Sequence, residues 1–259
     1  MGALSGIGVL VTRPERQAGP LCRLIEDEGG TALRYPAIVI QGRADRAAVG
    51  AVDDYDLVVF VSANAVRFGA ALLGPPRALR LAAIGPATAA ALEAAGHHVA
   101  LRPPGRADSE ALLALPELAQ MDGQRVLIVR GAGGRELLAD ELARRGASVC
   151  YADVYARAPA QPAPELQAAI GERWQQGGVQ VYTATSVALL EALLSILPAL
   201  CRERIDTTAL LTGAPRVVDA ARRLGLRSPV LLAEAMDDAA LVAALRCRCY
   251  GSVAGPPGA

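Results

Sequence analysis

The sequence predicts a doubly wound parallel α/β fold made of two similar domains. Short apolar runs alternate with Ala- and Leu-rich helical stretches along all 259 residues, and most helical stretches end at glycine. Two nearly identical segments, VLVTR (9–13) and VLIVR (126–130), both end in arginine. Apolar strands that are each followed by a helix are typical of parallel sheets covered on both faces, and the doubled segment favours two copies of one domain.

Strand and helix pairs follow one another in chain order. Each predicted strand is short and almost wholly apolar, and each predicted helix is rich in Ala, Leu or Val. The pairs are GVLVT (8–12) with 15–30, DLVVFVS (56–62) with 63–73, RLAAIG (80–85) with 86–96, RVLIVRG (125–131) with 134–146, VQVYTAT (179–185) with 186–197, and ALLTG (209–213) with 214–225.

Two further segments repeat within the chain. Residues 61–73 align without a gap with 182–194, and residues 83–96 align with 212–225. Self-similarity of this kind is simpler to explain by two similar domains than by one large sheet.

The order of the repeated units differs between the copies. The unit with the repeated arginine comes first for one copy (9–30) and last for the other (126–146). The N-terminal unit therefore completes the sheet of the C-terminal half, and the chain crosses between the domains twice. The predicted boundaries are 1–34 plus 158–250 for the first domain, 42–150 for the second, 35–41 and 151–157 for two linker strands, and 251–259 for a flexible tail.

The predicted linker strands are YPAIVIQ (35–41) and YADVYAR (151–157), which are apolar and similar in spacing. We expect them to lie side by side as a two-stranded hinge. A cleft between two hinged α/β domains is a common ligand site that can open and close. The sequence therefore predicts a ligand-binding cleft between the domains.

Composition excludes several classes of function. The 26 basic and 26 acidic residues cancel, and every basic residue is arginine, so no basic surface for nucleic acid is indicated. The absence of lysine removes Schiff-base chemistry and the Walker phosphate loop. The only histidines, His97 and His98, are adjacent and point to opposite faces of a strand, so a histidine metal site or a Ser-His-Asp triad has little support. We expect no metal, no cofactor and no nucleic-acid partner.

Cysteine usage and hydropathy predict a cytoplasmic protein. Five scattered cysteines favour reduced thiols over a disulfide framework. The first apolar run (8–11) has no basic residue before it and meets Arg13 at once, which is unlike a signal peptide. The longest apolar stretch (187–200) contains Glu191 and Pro198 and is too short to span a bilayer, so no membrane partner is expected.

Six segments in a fixed order resemble the uroporphyrinogen-III synthase family. The similarity extends from about Gly8 to about Leu245, and the joint order and spacing of the motifs is more specific than any one motif. The segments are VTRPERQAGPL (11–21), FVSANAV (60–66), AIGPATAAAL (83–92), ADSEALL (107–113), VLIVRGAGGRELLADELARRGA (126–147) and DVYARA (153–158).

This resemblance implies a cytoplasmic, monomeric enzyme with two α/β domains on a β-ladder linker. Such an enzyme closes the linear tetrapyrrole hydroxymethylbilane into uroporphyrinogen III, inverts ring D and uses no cofactor. The residue inventory agrees, because the pyrroles supply the electrons for the loss of the hydroxyl group and for ring closure. The protein has to hold the two ends of the substrate together, which is worth up to about 7–11 kcal/mol in favourable cases, and to bind carboxylates.

Tyr155 matches the family's tyrosine in DVYARA and is the candidate catalytic residue. A phenol has a pKa of about 10 in isolation, so it is protonated at neutral pH and can donate to a leaving hydroxyl. Packing of the linker is the alternative role for this side chain.

Hydroxyl side chains at strand ends or in first helical turns are candidate substrate-binding groups. Such a hydroxyl can cap a helix, and it can also point into the crevice beyond the carboxyl ends of the strands. Both roles stay open for Ser62, Thr88, Thr183 and Thr212, although the family more often carries serine at the last two positions.

The repeated arginines Arg13 and Arg130 are candidates for substrate carboxylates, because a guanidinium binds such groups bidentately. Pairing with an Asp of the same domain is the alternative. Gly131, Gly133 and Gly134 of RGAGGRE precede a helix and favour an anion-binding loop over a plain tight turn. The loop is not a dinucleotide fingerprint, because Glu136 stands where the third glycine belongs.

Two further matches to the family are Arg216 in APRVV and the pair Ser109-Glu110. Arg216 is a candidate substrate-binding residue, whereas the Ser-Glu pair is also a common helix start. A non-enzymatic alternative remains, since hinged α/β lobes also serve as small-molecule binding or sensor modules. That alternative predicts tight ligand binding without turnover.

Overall fold

The computed structural model describes residues 2–43, 49–76 and 78–251. Its strands are β1 (Gly8–Val11), β2 (Thr31–Arg34), β3 (Ile38–Gly42), β4 (Leu57–Phe60), β5 (Leu81–Ala83), β6 (Arg125–Gly131), β7 (Ser148–Pro159), β8 (Val181–Thr183), β9 (Ala209–Thr212) and β10 (Val230–Leu232). Its α-helices are α1 (Glu15–Asp27), α2 (Ala63–Gly69), α3 (Pro86–Ala94), α4 (Ser109–Leu113), α5 (Leu137–Arg144), α6 (Pro164–Gln175), α7 (Val187–Ile196), α8 (Ala199–Arg204), α9 (Pro215–Arg223) and α10 (Asp238–Gly251).

The chain divides into two compact units. The first unit combines Met1–Val39 with Ala158–Ala259, and the second is Ile40–Arg157. The chain therefore passes between the units twice, once within β3 and once within β7.

The first unit is built on a parallel sheet in the order β10-β9-β8-β1-β2. Strands β1, β8 and β9 are buried at every residue, as expected for apolar runs covered on both faces. Val9 and Val11 pack into one core with α1 and α10, whereas Leu10 packs with Tyr182 and Leu210 on the other face.

The second unit contains a sheet in the order β3-β7-β6-β4-β5, and the β7, β6, β4 and β5 strands pair in parallel. Strand β6 alternates between two cores, with Leu127 and Val129 in one and Val126 and Ile128 in the other. The predicted doubly wound parallel α/β class is confirmed in both units.

Both sheets contain the same four-strand arrangement in a permuted chain order. Strand β1 lies between β8 and β2, and β6 lies between β4 and β7. Val9 pairs with Val181, and its counterpart Val126 pairs with Leu57. The N-terminal strand thus lies in the sheet formed by the C-terminal half, which is the arrangement that the repeated segments predict.

One of the two gapless alignments holds in the structure. Helices α3 and α9 both have nine residues and begin at the aligned prolines, Pro86 and Pro215. The strands before them, β5 and β9, occupy equivalent places beside β4 and β8.

The other alignment is wrong by three residues. It set Ser62 opposite Thr183. In the structure, Leu57 and Val181 are the equivalent strand positions, because they pair with the counterparts Val126 and Val9. Ser62 and Ser186 each lie five residues after these positions, so they are the true counterparts. Both serines are also helix N-caps. Both helical segments are rich in Ala and Leu, so their sequences do not distinguish the predicted alignment from the one that the structure shows.

The two crossing strands, β3 and β7, are neighbours in the second sheet. The Arg43 N–H donates to the Val154 carbonyl and the Ala160 N–H donates to the Ala37 carbonyl, both at 2.9 Å. Residue numbers fall along β7 as they rise along β3, so the pairing is antiparallel.

The predicted linker boundaries differ from the structure. The first strand begins at Ile38 rather than at Tyr35, and residues 151–157 belong to a single twelve-residue strand, β7, that also pairs with β6. Ala152 and Val154 are buried in a core of the second unit, so packing draws this segment into the sheet.

The C-terminal helix reaches further than predicted. Helix α10 includes Gly251, which was expected to begin a flexible tail at 251–259, and the rest of that segment lies outside the described residues. Among the described helices, none has the length and apolar character needed to cross a bilayer.

Candidate active site

A cavity of about 190 Å³ lies at the carboxyl ends of strands in the second unit. Ser62 follows β4, Arg130 and Gly131 end β6, and Tyr155 comes from β7. Ligands of open α/β sheets bind at this edge. The cavity is further lined by apolar Val61, Ile84, Ile128 and Leu138 and by Ser109, Gly134, Arg135, Tyr151 and Arg157.

Tyr155 packs with its ring against the backbone of β6 and is only 3% exposed. The β6–β7 register shifts at Arg130/Gly131, after which Gly131 pairs with Tyr155. A Cβ atom at Gly131 would lie 2.5 Å from Cε2 and Cζ of the ring, so glycine permits this approach. The Tyr155 carbonyl accepts a hydrogen bond from the Ala132 N–H at 2.8 Å, which fixes the backbone next to the ring.

Ser62 is the N-cap of α2 and also contacts the phenol. Its Oγ accepts from the Ala65 N–H at 3.0 Å and lies 3.3 Å from the Tyr155 hydroxyl. Because Oγ already accepts the cap hydrogen bond, its own hydrogen can be donated to Tyr155. The phenol hydrogen is then free to point into the cavity.

Arg130 is fixed by three neighbours and is 8% exposed. Its Nε donates to Asp153 at 3.0 Å, its Nη1 donates to the Gly134 carbonyl at 3.4 Å, and its guanidinium lies 3.4 Å from the centroid of the Tyr151 ring. Burial raises the pKa of Tyr151, and the positive charge of Arg130 opposes part of that rise. A guanidinium held in this way is suited to a carboxylate.

The glycine-rich loop separates β6 from α5. Gly131 and Gly134 line the cavity, whereas Gly133 does not; its φ of +73° marks it as the left-handed turn residue. Helix α5 begins at Leu137, and its N-cap residue Glu136 makes no side-chain cap hydrogen bond. The anion-binding loop therefore remains a prediction, which is favoured by the position of Gly131 and Gly134 in the cavity lining.

Sequence reasoning missed Arg135, Tyr151 and Arg157 as members of the cavity, whereas Ser109 had been noted as a match to the family. Arg157 forms no ion pair within the described part of the chain, and its guanidinium lies 5.8 Å from the Tyr155 ring centroid. Arg135 lies 3.7 Å from Glu110, and Ser109 is the buried first residue of α4. The available signals were the position of Arg157 two residues after Tyr155 and the position of Arg135 in the glycine loop.

The first unit uses its repeated arginine differently. Arg13 forms an ion pair with Asp238 and donates to the Met236 carbonyl at 3.3 Å. Pairing with an Asp of the same domain was the alternative left open by the sequence, and the structure shows that pairing.

Thr183 and Thr212 are both fully buried. The Thr12 hydroxyl donates to the Thr183 carbonyl at 2.6 Å, and Thr183 Oγ1 accepts from the Thr12 N–H at 3.1 Å. Thr212 Oγ1 accepts from the Ala214 N–H at 3.2 Å. These hydroxyls are hydrogen-bonded inside the first unit, so of the two roles that the sequence left open the structure shows a structural one.

The two remaining predicted residues also lie apart from the cavity. Thr88 is a buried residue of α3 and is absent from the described cavity lining. Arg216 is an exposed residue in the first turn of α9, without an ion pair among the residues described here. Groups of three or more His, Cys, Asp or Glu side chains that could hold a metal ion do not occur in the described ranges.

The fold and the cavity define a class: an α/β protein with two parallel-sheet units and a cavity that combines a buried phenol with arginine side chains. The chain belongs to the uroporphyrinogen-III synthase family. The family model described as uroporphyrinogen-III synthase HemD matches residues 20–243. Relatives named uroporphyrinogen-III synthase from Salmonella typhimurium and Escherichia coli are 36% and 34% identical over 252 residues, which cover 93% of this chain and 100% of each relative.

Solved structures share the fold. A mutant uroporphyrinogen III synthase from the extremely thermophilic bacterium Thermus thermophilus has a TM-score of 0.55 at 22% identity, with 95% of this chain and 99% of that chain covered. The uroporphyrinogen-III synthetase from Helicobacter pylori has a TM-score of 0.61 at 13% identity, with 92% and 97% covered. At these identities the similarity supports the architecture.

Proposed function

We propose that this chain converts hydroxymethylbilane into uroporphyrinogen III, with inversion of ring D and loss of one water. The observation that carries the proposal is the cavity of the second unit, which places the buried phenol of Tyr155 and the fixed guanidinium of Arg130 at one edge of one sheet. A phenol can donate a proton to a leaving hydroxyl, and a guanidinium binds carboxylates. The bilane carries both kinds of group.

In this proposal the reaction begins when the terminal hydroxyl leaves. Tyr155 supplies the proton with which the hydroxyl departs as water, and the pyrrole nitrogen stabilises the cationic azafulvene that remains. The substituted carbon of ring D attacks it and forms a spiro intermediate. The old link between rings C and D then breaks, the ring recloses through the free carbon of ring D, and the hydrogen on that carbon leaves as a proton that restores the phenol.

The proposed carboxylate-binding groups are the arginines of the cavity. Arg130, Arg135 and Arg157 line it, and its described lining includes no acidic residue. Arg130 is partly neutralised by Asp153 and Arg135 by Glu110, so Arg157 contributes the positive charge that has no acidic partner among the described residues. Gly134 of the loop and Ser62 complete the proposed substrate-binding set. Arg216 of the first unit remains a candidate because it is exposed.

We further propose that the enzyme acts as a cytoplasmic monomer without metal or nucleotide. The chemistry supports the part of this proposal that concerns metals and nucleotides, since the electrons come from the pyrroles and the proton from a side chain. Exhaustive dialysis against a chelator is expected to leave the rate unchanged. Activity that is lost on dialysis and restored by a metal or a nucleotide would contradict it.

The decisive experiment supplies freshly made hydroxymethylbilane and identifies the uroporphyrinogen isomer that forms. We expect the III isomer at a rate proportional to enzyme concentration, whereas closure without inversion in an enzyme-free control gives the I isomer. A binding or sensor module would bind a bilane and leave the control isomer and rate unchanged. That result would overturn the proposed function.

A further inference from the structure

The position of the Tyr155 ring depends on the absence of a side chain at Gly131. An ideal Cβ atom at Gly131 would lie 2.5 Å from Cε2, 2.5 Å from Cζ and 3.0 Å from the hydroxyl oxygen of Tyr155. Carbon atoms that are not bonded are in contact at about 3.5–4.0 Å, so the ring and any side chain at position 131 exclude each other.

The backbone conformation gives no separate reason for glycine at this position. Gly131 is a residue of β6 and is not among the glycines with positive φ, unlike Gly133 two residues later. An L-residue could adopt the Gly131 backbone conformation, so the contact with Tyr155 is what requires glycine.

The hydroxyl end of the same ring is held by a second contact. Ser62 Oγ lies 3.3 Å from the Tyr155 hydroxyl, and Ser62 is itself fixed as the N-cap of α2. A ring displaced from Gly131 could not keep this contact, because the Cβ atom would push on the ring carbon that carries the hydroxyl.

We propose that Gly131 is a positioning residue for Tyr155: the absence of its side chain sets the phenol at the distance from which it reaches both Ser62 and the cavity. The inference rests on the proposed role of Tyr155 as proton donor. It replaces the expectation that Gly131 serves the substrate directly as part of an anion-binding loop.

The activity test is a double-mutant cycle of Gly131→Ala and Tyr155→Phe. A misplacement of about 1 Å can cost about 10²-fold in rate, so Gly131→Ala should lower kcat by about 10- to 100-fold and change KM by less than about threefold. In the Tyr155→Phe background the same substitution should have almost no further effect on kcat. Equal losses of kcat in both backgrounds, or an increase in KM with kcat unchanged, would show that Gly131 acts on the substrate and would overturn the proposal.

A structural test is independent of turnover. Tyrosine labelled at Cζ gives one NMR signal per residue, and the Tyr155 signal is the one lost in Tyr155→Phe. Gly131→Ala should shift that signal. Gly134→Ala is the matched loop control, because the nearest neighbours of its Cβ atom would be Gly131 O at 3.4 Å and Arg130 Cδ at 3.6 Å rather than Tyr155, so it should leave the signal in place. An unmoved signal in Gly131→Ala overturns the proposal even if Tyr155 proves to have no catalytic role.

If Gly131→Ala does not fold, a second variant still tests the proposal. Tyr155→Leu removes the ring atoms with which the Cβ atom would clash, so Gly131→Ala/Tyr155→Leu should fold with the circular dichroism spectrum of the wild type. If this double variant is unfolded as well, the ring is not what requires glycine at position 131.

Discussion

The strands that end in Arg13 and Arg130 are equivalent, but the segments that follow them are not. After Arg13 the helix α1 begins at Glu15 and has 13 residues, whereas after Arg130 the helix α5 begins at Leu137 and has eight. Helix α5 is thus five residues shorter at its start than α1, and the glycine-rich segment 132–136 stands in place of those residues. Replacing the first helical turns by a loop leaves room for the cavity at the end of β6.

The arginines themselves differ in what surrounds them. Arg13 is tied to Asp238 and Met236 of its own unit, while Arg130 lies beside Asp153, Gly134 and the Tyr151 ring and lines the cavity. The comparison teaches that a repeated motif identifies an equivalent position in the fold. The segment after the strand decides whether that position forms part of a site.

The largest expected effect comes from the Tyr155 phenol in the cavity of the second unit. Tyr155→Phe should lower kcat by about 10²–10⁴-fold, the usual contribution of a general acid, with KM little changed. The measurement is single-turnover kinetics with fresh hydroxymethylbilane, so that chemistry limits the rate. A Phe variant within about threefold of the wild type would mean that positioning of the bilane supplies most of the catalysis.

The two arginines should separate binding from stability. Arg130→Ala should raise KM by about 10- to 100-fold, because a hydrogen bond to a charged group is worth about 1.5–3 kcal/mol. Arg13→Ala should leave KM unchanged and lower the free energy of unfolding by about 1–3 kcal/mol, because it leaves Asp238 without its partner. Steady-state kinetics and urea unfolding of both variants test the contrast, and equal increases in KM would refute it.

A buried hydroxyl pair in the first unit should affect stability alone. Thr183→Val removes the acceptor of the Thr12 N–H and should lower the free energy of unfolding by about 1–3 kcal/mol. The equivalent strand position in the second unit, Val59, is already apolar. Unchanged KM and kcat are expected, and a KM increase would restore Thr183 as a substrate-binding residue.

The equivalent N-cap serines offer the closest matched pair. Ser62→Ala and Ser186→Ala each remove a side-chain cap, with N–H to Oγ distances of 3.0 and 3.2 Å, and each should cost about 1 kcal/mol of unfolding free energy. Only Ser62→Ala also removes a neighbour of Tyr155, so only that variant should lower kcat. Equal kcat values for the two variants would argue against a role for the Ser62–Tyr155 contact.

Much of the fold could be predicted from the sequence because it depends on local patterns. Apolar runs predict the buried strands, and the matched prolines Pro86 and Pro215 predict the starts of α3 and α9. The shared arginine ending predicts the equivalence of β1 and β6. Thr183 is the last residue of β8, as predicted, but it is fully buried and lies three residues before Ser186, the structural counterpart of Ser62. The alignment that set Thr183 opposite Ser62 was therefore wrong in register.

The site was less predictable because it depends on an irregularity in pairing. Strict alternation along β7 would put Tyr155 on the face opposite Val154, but the register shift beside Gly131 places both in the same core. Tyr155 was found from motif resemblance and Arg130 from the repeated segment. Arg157 was missed although it lies in the predicted strand 151–157, because the sequence does not show which side chains of β7 line a cavity. Irregular pairing depends on long-range contacts that no short segment encodes.

The smallest predicted effect concerns the carboxyl end of α5, the shorter of the two equivalent helices. Glu141 accepts hydrogen bonds from Arg144 and Arg145, and these lower its pKa from 4.5 to about 2. Arg145 also donates to the Leu113 and Leu118 carbonyls at 2.7 and 2.8 Å, so the Glu141 carboxylate helps to hold this end of the helix.

A lowered folded-state pKa means that Glu141 contributes stability above its unfolded pKa near 4.5 and loses that contribution as the pH falls toward 2. The wild type should therefore have a higher Tm than Glu141→Gln at pH 7, and the difference should shrink between pH 4.5 and 2, because Gln does not titrate. High salt should reduce the difference at pH 7, since the group lies near the surface. A Tm difference that stays constant over this pH range would show that the three hydrogen bonds, rather than the charge of Glu141, fix the end of α5.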